Sequence, residues 1–133
     1  MNMDRQLLDA ARDGNLVLVE LALRNGANVN GLDFFGWTPL HHACWRGHLD
    51  VVRCLLTTGH AILEVTDDDG MTPLHYACRE GHVDVIRYLL TYHNANAEAC
   101  TNNGYTPLHL ACWSSKLDVV KELVQQKADI SKG

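Results

Sequence analysis

Thr-Pro-Leu-His occurs three times in this chain, at Thr38–His41, Thr72–His75 and Thr106–His109, each copy 34 residues after the one before. A fixed period of that size means one supersecondary unit stacked on copies of itself rather than a single mixed core. The tetrapeptide also says how each unit starts. Thr38, Thr72 and Thr106 carry a good N-cap side chain, and Pro39, Pro73 and Pro107 fall at the first helical position, where a missing N–H costs nothing. A short first helix is expected to end at Gly14, Gly47 or Gly81, where a left-handed residue closes it. A second helix follows, with Val51, Val52, Leu55 and Leu56 on one stripe. Asp50 with Arg53, Asp84 with Arg87, and Asp118 with Lys121 are spaced for pairing along the solvated face of those helices. The stretches Asp33 to Trp37, Asp67 to Met71 and Thr101 to Tyr105 hold the glycines and Asx residues of tight turns and are expected to project as fingers.

Beyond the tetrapeptide, the second unit reads Asp33, Gly36, Ala43-Cys44, Gly47-His48, Val51-Val52, Leu55-Leu56 and Gly59. The third reads Asp67, Gly70, Ala77-Cys78, Gly81-His82, Val85-Ile86 and Leu89-Leu90, and the fourth Gly104, Ala111-Cys112, Val119-Val120 and Leu123-Val124. A degenerate first copy runs from Leu7-Leu8 and Ala10-Ala11 through Gly14-Asn15 to Gly26-Ala27-Asn28-Val29-Asn30. The chain thus resembles the ankyrin repeat family over nearly its whole length. The resemblance implies an all-α solenoid of stacked helix-turn-helix units with projecting β-turn fingers. It also implies one domain, 1–133, with repeats near 1–32, 33–66, 67–100 and 101–133.

Composition excludes several functions. The net charge is −5 and no Lys/Arg stripe exists, so the phosphate-neutralising term that dominates nucleic-acid binding is missing. No apolar run approaches a membrane span, and the start, with Asp4, Arg5 and Asp9, lacks a signal peptide's apolar stretch. A cytoplasmic or nuclear location is expected, with no membrane partner, and a monomer. Cys44, Cys78 and Cys112 each follow a His by three residues. Successive His-x-x-Cys pairs are separated by a repeat's thickness, about 10 Å, whereas zinc needs four ligands at about 2.0–2.3 Å from one point. Neither a metal nor another cofactor is therefore expected. Five cysteines fit free thiols in a reducing compartment. In the family, the repeated His bonds the turn and the Thr hydroxyl. Most of the eight histidines fall in or beside motif slots, and no phosphate loop, nucleophile elbow or His-Glu-x-x-His is present. No catalytic residue is expected.

Function must then rest on residues that the repeat leaves free. By resemblance, the partner would meet a concave face built from fingertips and first helices. The finger position before the Thr holds Trp37, Met71 and Tyr105, and the first-helix slot after the Ala-Cys pair holds Arg12, Trp45, Arg79 and Trp113. Beside these stand Phe34 and Phe35, Asp68 and Asp69, Asn102 and Asn103, and Arg46, Glu80 and Ser114. All three tryptophans map to one face, and Trp, Tyr and Arg are enriched at binding hot spots. The alternatives are that Trp45 and Trp113 cover neighbouring helices and that the Phe pair folds back onto the stack. The expected partner is a protein or peptide with apolar anchors and a basic residue or two, because Asp67-Asp68-Asp69 forms an acidic finger; the alternative is that the run is only a solvated turn rich in Asx residues. Two other readings stand beside this one: an inhibitor that occludes an enzyme such as a kinase, and the first block of a longer scaffold.

Departures from the pattern individualise the chain. The stretches 59–66 and 93–100 are each one residue longer than 26–32, which predicts an insertion in both connecting loops. The glycine slot after the second helix holds His93 and then Lys127, and the Gly-His that closes the first helix becomes Ser115-Lys116. A non-glycine residue forced to positive φ would make the fourth repeat the least stable. Repeat one opens with polar residues, as a cap does. The last repeat either caps itself through Lys116, Lys121, Glu122, Gln125, Gln126 and Lys127 or leads into another finger. Asn30, by resemblance, is a candidate for asparaginyl hydroxylation, set against a turn-stabilising role.

Overall fold

A computed structural model describes residues 2–132, with side chains as far as 126. The elements are α1 (Met3–Asp13), α2 (Leu16–Arg24), α3 (Pro39–Arg46), α4 (Leu49–Thr57), α5 (Pro73–Glu80), α6 (Val83–His93), α7 (Pro107–Trp113) and α8 (Leu117–Lys132). No strand occurs among the described residues. The first helices α1, α3, α5 and α7 pack in sequence as one layer, and α2, α4, α6 and α8 form a second behind it. This is the all-α solenoid with turn fingers that the repeats predict.

Each Thr-Pro-Leu-His closes a reciprocal cap. The His41 N–H donates to Thr38 Oγ1 at 3.3 Å while the Thr38 N–H donates to His41 Nδ1 at 3.1 Å. A histidine thus does the work of the usual capping-box glutamate. With Nδ1 accepting, the proton sits on Nε2, which donates to the Met71 carbonyl of the next finger at 2.9 Å. His75 repeats the arrangement onto the Tyr105 carbonyl at 3.0 Å. His48 and His82 reach the other way, each Nε2 donating to a carbonyl of the preceding repeat, Arg12 at 3.0 Å and Trp45 at 2.8 Å. Gly47 shows why the helix must end in glycine. Its φ is 76°, and a Cβ there would stand 2.5 Å from His82 Nδ1.

The core lies between the layers, with Leu7, Val19, Leu40, Leu55, Leu74, Val85, Ile86 and Leu89 fully buried. Cys44 and Cys78 are buried in it, and burial pushes both thiols far above their ordinary range. Cys112, in the same slot, is exposed, because among the described residues nothing stacks on α7 from the far side.

The connecting loops correct the sequence reading. The left-handed residues are Gly26, His60 and Asn94, each 34 from the last, so the loops that follow keep one length and hold no insertion. The extra residue of repeats two and three lies earlier, in the turn that ends the second helix. There the Ala61 N–H reaches back six residues to the Leu55 carbonyl, whereas the Ala27 N–H reaches back five to Ala22. Gly59 is a glycine for space, since a Cβ would meet the Leu55 carbonyl at 2.8 Å and Val29 Cγ2 at 2.9 Å. His93 is simply the last residue of α6, and Asn94 makes the turn. Lys127 makes no turn either, because α8 runs through it to Lys132; its side chain, and all of Gly133, lie outside the described residues. Ser115 does adopt a positive φ of 57°.

The charge pairs along the second helices are also corrected. Asp50, Asp84 and Asp118 each accept the next backbone N–H, at 2.8, 2.8 and 2.9 Å. The arginines reach across to neighbouring helices instead. Arg87 donates through Nε and Nη2 to Glu122 Oε1 at 3.0 and 2.8 Å, and the Arg53 guanidinium lies 5.1 Å from the Tyr88 ring centroid. Orphan N–H groups at the helix start attract the carboxylates locally, which leaves the long arginines free to span the groove between helices.

Candidate functional site

The fingers are fixed by their first residue. Asp33 Oδ1 accepts the N–H groups of Phe35 and Trp37 at 2.9 and 3.0 Å, and Asp67 Oδ1 accepts those of Asp69 and Met71, both at 2.9 Å. Thr101 replaces the aspartate in the third finger and accepts only from Tyr105, at 3.2 Å. These turns carry Trp37 and Tyr105 onto the face of the first helices.

Trp37 stands at the centre of the first aromatic group. Its ring centroid lies 4.5 Å from Tyr76, 4.9 Å from His42 and 5.4 Å from Trp45, the last edge to face. Such tilted and edge contacts suit the ring quadrupoles. Beneath them Met71, 8% exposed, packs with Tyr76 and Leu110. The position that the sequence places on the binding face therefore lies under it. Arg46 covers Trp45 with its guanidinium 4.6 Å from the ring centroid, and Arg79 covers Tyr76 at 5.0 Å while donating to Glu80 Oε2 at 2.9 Å. A second group joins Tyr105 and Trp113, 4.5 Å apart and nearly perpendicular, with His109 beside both. Trp113 is 60% exposed, while Trp45 is half-buried. Trp45 thus takes part in covering the stack and Trp113 stands largely in water.

The Phe pair does not fold back: Phe34 is 95% exposed and Phe35 73%. With Trp37, His42, Trp45 and Asp67 to Asp69 they line an open groove of about 620 Å³ between the first full finger and the next.

Two participants escape a sequence reading. Tyr76, 4% exposed, donates its hydroxyl to Asp67 Oδ2 in a short contact. Burial, together with that carboxylate, raises its phenol well above the ordinary range. His42 holds the matching place one repeat earlier, its Nε2 2.7 Å from Asp33 Oδ2. Burial pushes the Asp33 carboxyl up, but the His42 bond and the turn N–H groups outweigh it and leave the group below its usual value. A signal did exist: in both repeats an aspartate opening the finger is followed nine residues later by a ring that can bond it.

Asp68 and Asp69 are exposed, and among the described residues their carboxylates make no hydrogen bond or ion pair. Asn102 ties the third finger to the second, donating from Nδ2 to the Asp68 carbonyl and from its N–H to the Asp69 carbonyl at 2.9 and 3.0 Å. Asn30 is half-buried, with Oδ1 accepting the Ile62 N–H of the next loop at 3.0 Å. Glu64 does the same for Asn96 one repeat on, so this slot clamps consecutive loops. Among the described residues no group of His, Cys, Asp and Glu is placed to hold a metal, and no helix is long and apolar enough to cross a membrane.

A profile of ankyrin repeats in three copies matches residues 7–99 and 60–133. Similar proteins include protein phosphatase 1 regulatory subunit 27 of Homo sapiens, 43% identical over 63 residues, which are 47% of this chain and 40% of that protein. Osteoclast-stimulating factor 1 of Rattus norvegicus is 45% identical over 56 residues, 42% of this chain and 26% of its own length. Ankyrin repeat and sterile alpha motif domain-containing protein 1B of Danio rerio is 40% identical over 78, covering 42% of this chain and 6% of its own. The chain thus spans well under half the length of each of these relatives. Repeat motif, stacked helix pairs and profile agree, and the chain belongs to the ankyrin repeat family.

Proposed function

We propose that this chain binds a protein or peptide partner through the face made by its fingers and first helices, and carries out no chemistry of its own. The observation that carries the reading is large apolar area left in water where the repeat does not require it: Phe34, Phe35 and Trp113 beside the half-buried Trp37 and Trp45. Exposed patches of this kind mark interaction surfaces, and a rigid preformed face keeps the ordering cost of association low. Tyr105, Arg46, Arg79, Asp68 and Asp69 form its rim, and the setting is cytoplasmic or nuclear.

The test compares capture from a cell lysate by the wild-type chain and by a Phe34→Ser, Phe35→Ser, Trp113→Ala variant. These side chains are exposed, so the variant keeps its fold, which circular dichroism checks. A partner held by the wild type and lost by the variant supports the face; equal retention by both sinks it.

A second reading, occlusion of a partner enzyme, draws on the human relative's description as a phosphatase regulatory subunit. Titrating the chain into protein phosphatase 1 tests it, and unchanged activity at saturating chain removes that reading.

A further inference from the structure

This inference rests on the protein-binding reading above and names what the groove would take. We propose that the groove between the first full finger and the second receives an arginine side chain of the partner, its guanidinium set against the Trp37, Trp45 and Phe35 rings and paired with Asp68 and Asp69. One wall of the groove is aromatic and the other is the Asp67–Asp69 finger. Aromatic ring faces are electron-rich and attract a cation, more so where water is partly excluded.

The three aspartates are not equivalent. Asp67 is buried and used internally, by two backbone N–H groups and the Tyr76 hydroxyl. Asp68 and Asp69 are exposed, without a hydrogen bond or an ion pair among the described residues. Asp68 also reaches toward the preceding finger, its Oδ1 lying 2.9 Å from where a Cβ on Gly36 would stand. Two uncompensated anions therefore border the aromatic wall, in a chain of net charge −5. An apolar occupant would desolvate both with nothing in return, and an acidic one would be repelled.

Arginine fits better than lysine for a geometric reason. Its planar group stacks on a ring while its edge donates to carboxylates, whereas an ammonium is a strongly hydrated point charge. The protein's own guanidiniums already stack in this way, Arg46 on Trp45 and Arg79 on Tyr76. Neither of them lines the groove, which stays open to a guanidinium from outside.

The test uses the 15N-labelled full chain and two probes, acetyl-Leu-Arg-Leu-amide and its citrulline counterpart, which has the same shape without the charge. The arginine peptide should shift the Trp37 and Trp45 indole N–H signals and the Asp68 and Asp69 amides. It should also bind about tenfold more tightly than the citrulline peptide, the scale of one partly desolvated cation–π contact. Asp68→Asn, Asp69→Asn should abolish that preference. Equal affinity for both peptides, shifts confined to other residues, or no shift at millimolar peptide would each overturn the proposal. The lysate capture separates the two readings. If the double Asn variant retains a partner that the Phe34, Phe35, Trp113 variant loses, the binding face stands and the arginine site falls; if both variants retain it, the face itself falls.

Discussion

Replacing Tyr76 by Phe removes one oxygen and leaves Asp67 Oδ2 buried with no donor. An orphaned buried acceptor costs about 1–3 kcal/mol, so Tyr76→Phe should lower stability by that amount in urea titration, and a loss near zero would show that water takes the hydroxyl's place. The buried imidazoles give a second prediction. Burial holds His41 and His75 below their ordinary value of 6.5, and Nδ1 of each is already accepting a Thr N–H. The unfolded chain therefore takes up protons first. Stability is intact above about pH 6.5 and falls as pH drops below it. Urea midpoints should decline between about pH 7 and pH 5.5, and less steeply in His41→Gln; an equal slope in that variant would remove His41 as a source. The Thr-His relation was implied by the family resemblance, and the structure gives its physical form as a reciprocal cap across three residues. The hub at Tyr76 was not: its importance comes from Asp67, nine residues away, and only the folded finger brings them together.

At the scale of elements, the end of α7 is where the chain departs from its own rule. Gly14, Gly47 and Gly81 take the left-handed turn in the first three repeats, and Ser115 must take it in the fourth at φ 57°. Ser115→Gly should stabilise the chain by about 1 kcal/mol, the strain relieved less the entropy glycine loses on folding. A thermal melt reads this, and a lower midpoint would mean that the serine side chain contributes a contact worth more than its strain. The starts of α3, α5 and α7 were legible to the residue because Thr and Pro act locally. So were the ends of the first helices at Gly14, Gly47 and Gly81. The ends of the second helices were not, for Gly59 invites a left-handed turn that His60 makes instead. The glycine answers the Leu55 carbonyl of the helix it follows and Val29 of the preceding repeat, and the second of these chain-local reasoning does not see. The Asp–Arg pairs failed likewise, since each aspartate found a backbone N–H sooner than a guanidinium.

For the whole molecule, stability is a sum of repeats and of the joints between them. The side chains that fill those joints in the middle, such as Leu40, Leu74, Cys44 and Cys78, have the exposed counterparts Leu108 and Cys112 in repeat four. Amides of α7 should therefore exchange with solvent faster than those of α3 and α5, which hydrogen-exchange mass spectrometry resolves; equal protection would show one cooperative unit. Core truncation should act across repeats: Leu74→Ala, at a fully buried joint, should cost about 2–5 kcal/mol. The sequence by itself determined the repeat length and the starts of α3, α5 and α7, because these follow from a fixed period and local caps, while the all-α stack and the residues assigned to the finger side were implied by the resemblance to the ankyrin repeat family. Only the tertiary structure decided that Met71 lies buried beneath the aromatic rings, that Phe34 and Phe35 stay in water, and that Asp67 is consumed by its own finger while the Asp68 and Asp69 carboxylates make no hydrogen bond or ion pair among the described residues. Those outcomes depend on what a neighbouring repeat places within a few ångströms, and a period along the chain does not encode that.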